Sequence, residues 1–300
     1  MNTSSHTFLS VLAANGIDRI FQVPGESFLG ILDALADFPA IDIVTCRHEA
    51  GAGFMACADG RLTGRPGVVM VSRGPGASNA SIALHTAQQD AIPLILIVGQ
   101  VLKKDLRREA FQEIDYQTMF GSVAKWVVEA TRPEQLGELA FKAVRIATSG
   151  TPGPVVLVIP EDIQQQPAAP SSWVARPKAA TTAAPEVLAE LRGLLQTAQR
   201  PLVVAGGAFD RPGGREALLA FAQAWNIPVP VKQGNIAGHR TDGVGGVASG
   251  PGAKPGGIRL PDQAGVDHHR LSAGNGHGQR RASPLRTPDP TPRASLHHRK

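Results

Sequence analysis

Three short segments of this 300-residue chain supply, between them, glycines and groups that can hydrogen-bond a flat ring. They are Val23-Pro24-Gly25, Arg47-His48-Glu49 and Gly74-Pro75-Gly76-Ala77-Ser78-Asn79. Glycine lets a ring approach the backbone closely. Ser78 and Asn79 offer a hydroxyl and an amide, and Glu49 offers a carboxylate able to hold or release a proton. Each segment follows an apolar run that reads as a strand, and ligands of open α/β sheets bind at the carboxyl ends of strands. The three could therefore line one pocket. Gly74-Pro75-Gly76 also reads as a phosphate cradle at a helix N-terminus, although no Lys follows it as a P-loop requires. Glu49 alone would serve equally as a solvated acid in the first turn of a helix, favourable to the helix dipole.

The elements that must position these loops alternate between short apolar runs and amphipathic stretches, the pattern of a doubly wound parallel sheet flanked by helices. The pattern predicts a helix over Thr7–Ala14 with a left-handed cap at Gly16, then a strand over Arg19–Val23. A helix at Ser27–Leu35, a strand at Ile41–Thr45 and a helix rich in small residues from Glu49 to Leu62 follow. Val68–Ser72 and Leu94–Val98 are continuous apolar runs, as buried parallel strands are, with a helix up to Gln89 between them. Pro133–Ala147 reads as a long amphipathic helix and Val155–Ile159 as the last strand.

These elements make a first domain over residues 1–165, an α/β unit. Residues 166–184, rich in Pro, Ala, Ser and Gln, read as a linker. A truncated second α/β domain over residues 185–231 contains a helix to about Thr197, a strand at Pro201–Ala205, the turn Gly206-Gly207 and a helix to Trp225. Residues 232–300 contain no Phe, Trp, Tyr, Met, Cys or Glu and hold 13 of the 33 Gly. They are expected to be a disordered basic tail or an out-of-frame translation of a GC-rich region, since they cannot bury enough apolar surface to offset the entropy of ordering.

The formal charge of +5 does not signal nucleic acid. From Lys232 onward there are 11 Lys and Arg against 4 Asp and Glu, whereas the first 231 residues carry 19 against 21. Cys46 and Cys57 fit neither a disulfide framework nor a zinc site, which agrees with a reducing cytoplasm. No apolar run is long enough to cross a bilayer.

Taken in order, the motifs resemble the acetolactate synthase branch of the thiamine-diphosphate-dependent enzymes. The segments that carry the resemblance are Phe21–Gly25, Arg47–Gly53, Pro66–Asn79, Ala91–Gln100, Ala110–Asp115 and Thr148–Pro154, in the family's order over about 150 residues. The resemblance implies that Glu49 hydrogen-bonds the aminopyrimidine of thiamine diphosphate and so prepares the cofactor to add to the carbonyl of a 2-oxo acid. It places Val23, Pro24, Gly25, Gly76 and Asn79 beside the pyrimidine. Phe111, Gln112 and Lys125 become substrate-proximal residues, with Gln112 directed at a neighbouring subunit's site, and His48 is expected to be a helix-start residue. A homodimer acting on a small 2-oxo acid, by decarboxylation or carboligation, is implied for the full-length form.

Two positions depart from the acetolactate synthase pattern. Thr151 stands where that branch carries an Arg that contacts flavin adenine dinucleotide, and Ala208 replaces the third glycine of the flavin loop. Both count against flavin and favour a related decarboxylase or carboligase. The family holds diphosphate and Mg2+ on a Gly-Asp-Gly motif, and none occurs in these 300 residues. The expectation is therefore a half-site for the pyrimidine with no metal residues, on a truncated chain that is inactive alone. One chain of a split enzyme and a non-catalytic interaction protein are the alternatives.

Overall fold

The computed structural model describes residues 2–171, 173, 182–210 and 213–229. The expectations for the tail, for residues 172 and 174–181 of the linker, and for residues 211–212 and 230–231 lie outside the described residues. The elements run α1 (Ser4–Ala14), β1 (Arg19–Gln22), α2 (Leu29–Leu35), β2 (Asp42–Thr45), α3 (Glu49–Thr63), β3 (Gly67–Val71), α4 (Pro75–Gln89), β4 (Leu94–Gln100), α5 (Tyr116–Phe120), β5 (Trp126–Glu129), α6 (Leu136–Thr148), β6 (Pro154–Pro160) and α7 (Glu161–Gln164). Two further helices, α8 (Pro185–Thr197) and α9 (Gly214–Trp225), follow.

Strand order in the six-stranded sheet is β2-β1-β3-β4-β6-β5, and every pairing is parallel. The chain leaves β1 toward β2 on one side and then crosses back to β3 on the other. The switch point therefore lies between β1 and β3, where Phe21 pairs with Val69 and Gln22 with Met70. Crevices at such a switch point, outside the carboxyl ends of the strands, are where open α/β sheets hold ligands.

Alternation along the strands divides the core into two layers. Val68, Met70, Ile95 and Ile97 pack with Phe8, Leu12, Ile31 and Ala140 under α1, α2 and α6. Val69, Val71, Leu94 and Leu96 pack with Ala52, Ala56, Ala80 and Ala83 under α3 and α4. The small residues of α3 and α4 let the two helices sit close together and close to the sheet. That proximity fixes the first turns of both helices beside the switch point.

Most sequence expectations for the first 165 residues hold with shifts of a residue or two. Capping explains some of the boundaries. Thr3 and His6 form a reciprocal capping box that starts α1 earlier than expected, and Gly16 adopts φ +84° just beyond its end. Two elements carried no recognised signal: the short helix α5, and β5, whose four residues are all half-buried at the sheet edge. The start of the stretch expected to be a linker lies along the preceding elements. Thr3 bridges Pro167, Ala168 N–H donates to Asn2 O, and the Trp173 ring lies 5.5 Å from that of Phe141.

The strand expected at Pro201–Ala205 is reduced, among the described residues, to a single bridge at Ala205. Leu202 and Val204 are exposed by 60% and 67%, and Val203 N–H donates to Pro228 O at 3.2 Å. Extended chain becomes a strand only when a neighbour pairs with it.

Candidate functional site

Because all strands are parallel, the loops after β1, β2 and β3 emerge at one edge. His48 caps α3: its Nδ1 accepts from Ala50 N–H at 3.1 Å, the helix-start role expected of it. That cap places Glu49 as the first residue of α3, half-buried, where a carboxylate favours the helix dipole. Asn79, one turn into α4, donates from Nδ2 to Glu49 Oε2 at 2.9 Å. Glu49 Oε1 has no hydrogen-bond partner among the described residues. It faces Gly76, where an added Cβ would lie 3.4 Å away.

Gly25 completes this wall of the site. A Cβ there would meet Ser72 Cβ at 2.6 Å and Ser72 Oγ at 2.9 Å, so only glycine allows the β1 loop to close on the β3 loop. Ser27 Oγ and Ser72 Oγ are 2.9 Å apart, and Ser27 Oγ accepts from Arg73 N–H at 3.2 Å. The structure thus brings Gly25, Gly76, Asn79 and Glu49 together along one connected set of contacts. Val23 is half-buried in the same loop and Pro24 is exposed.

Gln112 also belongs to this edge. It is exposed with φ +62°, and an added Cβ on Gly74 would fall 2.6 Å from its carbonyl oxygen. Gly74 itself has φ +50°, a conformation that glycine adopts without strain. Phe111 projects into solvent with 77% of its surface exposed. Tyr116 was not anticipated: its hydroxyl accepts from Gly74 N–H at 2.8 Å and ties α5 to the glycine loop. Burial pushes the Tyr116 phenol up from its ordinary value, so it remains a neutral hydroxyl.

Lys125 is placed differently from the other expected site residues. It precedes β5, at the amino-terminal edge of the sheet, opposite the Glu49 loops. Its Nζ donates to the carbonyl oxygens of Ile146, Ser149 and Thr151 at 2.5, 2.6 and 2.9 Å. Lysine satisfies the end of α6 here, as cations do at helix C-termini, and within the chain it is not brought to the site.

A cavity of about 540 Å³ lies further along the functional edge, at the ends of β4, β5 and β6. Gln100, Arg107, Glu113, Tyr116 and Glu129 are among its lining residues, and Glu49, Gly25 and Gly76 are not. Burial pushes the Glu129 carboxyl up, opposed by a hydrogen bond from Gln100. Outside that cavity, an unpartnered Glu49 oxygen and the bare backbone of Gly76 meet at the exits of β2 and β3.

Comparison with known proteins bears on the family. Residues 2–119 match the family model for the thiamine pyrophosphate enzyme N-terminal TPP binding domain; thiamine pyrophosphate is another name for thiamine diphosphate. The chain is 32% identical over 229 residues to an acetolactate synthase of Bacillus subtilis, an alignment covering 76% of the chain and 40% of that relative. It is 35% identical over 229 residues to the acetolactate synthase isozyme 1 large subunit of Escherichia coli, covering 74% and 40%. To the probable acetolactate synthase large subunit of Methanocaldococcus jannaschii it is 34% identical over 234 residues, covering 75% and 39%. The chain thus spans about two fifths of the length of the curated relatives it matches. By these matches, and through its N-terminal domain, the chain belongs to the thiamine-diphosphate-dependent enzyme family, on its acetolactate synthase-like branch.

Proposed function

We propose that the first domain, residues 1–165, holds the aminopyrimidine end of thiamine diphosphate, with Glu49 as the proton partner of the ring. The observation that carries this reading is the division of labour in the Glu49 carboxylate. Oε2 is held by Asn79 and Oε1 is turned, without a partner, toward the open face of Gly76. A carboxylate held by one oxygen is oriented, and its other oxygen can accept a ring N–H or return a proton. Gly25 and Gly76 leave the adjoining backbone bare, so a flat ring can reach that oxygen. These residues fit the pyrimidine end of the cofactor.

When bound, the cofactor supplies the means to decarboxylate or join 2-oxo acids. The chain's own residues bind the ring, orient it and hold a proton at Glu49 Oε1. The proposal concerns the pyrimidine end alone; among the described residues no cluster of three or more His, Cys, Asp or Glu side chains is placed to hold a metal ion. The second segment, residues 185–231, is read as part of a further α/β domain, and a cytoplasmic location is part of the same proposal. No helix among the described residues is long and apolar enough to cross a membrane. Phe54, Met55 and Leu62 along α3 and Ile82 on α4 are exposed. An apolar face of this kind supports a homodimer, or docking of a diphosphate-binding domain, against that side.

The test is a titration of the 300-residue chain with thiamine, followed by ligand-detected NMR. Wild type should bind, and Glu49→Gln should bind about 10–150-fold more weakly, the worth of a charge-assisted hydrogen bond of about 1.5–3 kcal/mol. Equal binding by the two, or binding by neither, would overturn the assignment. With thiamine diphosphate and Mg2+ these residues alone should not consume pyruvate. Turnover that Glu49→Gln abolishes would mean that the diphosphate is held within this chain.

A further inference from the structure

Arg73 stands between Ser72 and Gly74, at the exit of β3. Its side chain is only 10% exposed, and its two terminal nitrogens part company. Nη2 donates to Glu26 at 2.5 Å and Nη1 donates to Glu161. Nε is buried without a partner among the described residues, so the fork alone holds the guanidinium. Glu26 opens the turn directly after Gly25, and Glu161 opens α7 at the exit of β6. Strand order places β4 between β3 and β6, so the guanidinium reaches across the end of β4. The Arg73 backbone closes the same cluster: its N–H donates to Ser27 Oγ and its carbonyl accepts from Gly76 N–H at 3.3 Å.

We propose that Arg73 is a positioning residue that fixes the separation between the Val23–Gly25 and Gly74–Gly76 walls, and with it the width of the slot beside Glu49. The proposal rests on the reading of that slot as the pyrimidine site. One residue touches the exits of three strands, and both slot walls are among them. A planar fork can satisfy two carboxylates lying in different directions, whereas a lysine ammonium keeps the charge but loses the divergent donors. Removing the charge altogether would leave Glu26 and Glu161 facing each other without a counter-ion, a loss of stability that says little about positioning. Arg73→Lys and Glu161→Gln are therefore the informative variants.

The experiment uses the 300-residue chain and three readouts: amide hydrogen exchange at Gly74, Gly76 and Leu96, urea unfolding, and thiamine titration. Local openings set exchange rates segment by segment. Arg73→Lys is expected to speed exchange at Gly74 and Gly76 about tenfold or more, leave Leu96 in the centre of β4 unchanged, and weaken thiamine about tenfold. Glu161→Gln should move the same amides in the same direction. The double variant should fall short of the sum of the singles, because the two groups share one interaction. Unchanged exchange at Gly74 and Gly76 in Arg73→Lys would overturn the proposal. So would equal acceleration at Leu96, which marks a general stability effect, and so would unchanged thiamine affinity. Local acceleration in Arg73→Lys beside a wild type that binds no thiamine would support the clamp and sink the pyrimidine reading instead.

Discussion

Two alanines separate a glycine kept for packing from one kept for a ligand. A Cβ on Gly76 would meet Glu49 Oε1 at 3.4 Å, Val71 Cβ at 3.5 Å and Ser72 Cβ at 3.6 Å, all ordinary van der Waals separations. The residue lies in the first turn of α4 and is not among the residues with positive φ. Gly76→Ala should therefore leave the fold intact and raise stability by up to about 0.5–1 kcal/mol, through helix propensity and a less flexible unfolded chain. The same methyl would occupy the space in which a ring nitrogen must approach Oε1 to about 2.8 Å. Overpacking by one methyl costs about 1–3 kcal/mol, or about 5–150-fold in thiamine affinity. Gly25→Ala should behave in the opposite sense. Its Cβ would press on Ser72 at 2.6 Å and on the Phe28 ring at 3.3 Å, so the fold itself should lose about 1–3 kcal/mol. Urea unfolding of the two variants with a thiamine titration separates these effects. A Gly76→Ala chain that is less stable than Gly25→Ala, or that binds thiamine as tightly as wild type, would refute the reasoning.

Other outcomes follow from single residues. Lys125→Met should cost about 0.5–1 kcal/mol, the scale of an exposed charge-assisted cap, and leave thiamine binding unchanged. Weakened binding at full stability would return Lys125 to the site. Because burial raises the folded-state pKa of Glu129, the folded state holds its proton more firmly. The stabilising contribution is full below the unfolded-state value and is lost as pH rises through the folded value. Glu129→Gln should thus gain stability relative to wild type as pH rises from acid toward neutral, as read by urea midpoints across that range, and a gap that narrows with rising pH would contradict the assignment. Burial pushes the Cys57 thiol from 9.0 to about 12, which leaves about 10³-fold less thiolate at pH 8. Its alkylation by iodoacetamide should be correspondingly slow in the native protein and rapid in urea, as peptide mapping would read. Rapid native labelling would place Cys57 outside the α3 core.

The division between sequence and tertiary structure falls along the range of the forces involved. Local signals marked β3 and β4, whose unbroken apolar runs suit buried parallel strands, and the left-handed Gly16 after α1. The order of the glycine loops along the chain and the presence of Glu49 at a helix start were equally legible. A strand such as β5 was not, because Trp126–Glu129 is half-buried at the sheet edge and carries neither full apolarity nor clean alternation. Pro201–Ala205 has strand composition, yet among the described residues it makes only a bridge at Ala205 and one bond to Pro228, and pairing is a property of a neighbour. Lys125 shows the same limit: its type suited a substrate contact, and only chain direction in a parallel sheet put it at the opposite edge. The roles of Asn79, Tyr116 and Arg73 depend on groups brought together from positions 30, 42 and 88 residues apart. A single sequence holds no record of such distances. Composition and periodicity determined which elements exist, and only their packing decided which groups meet.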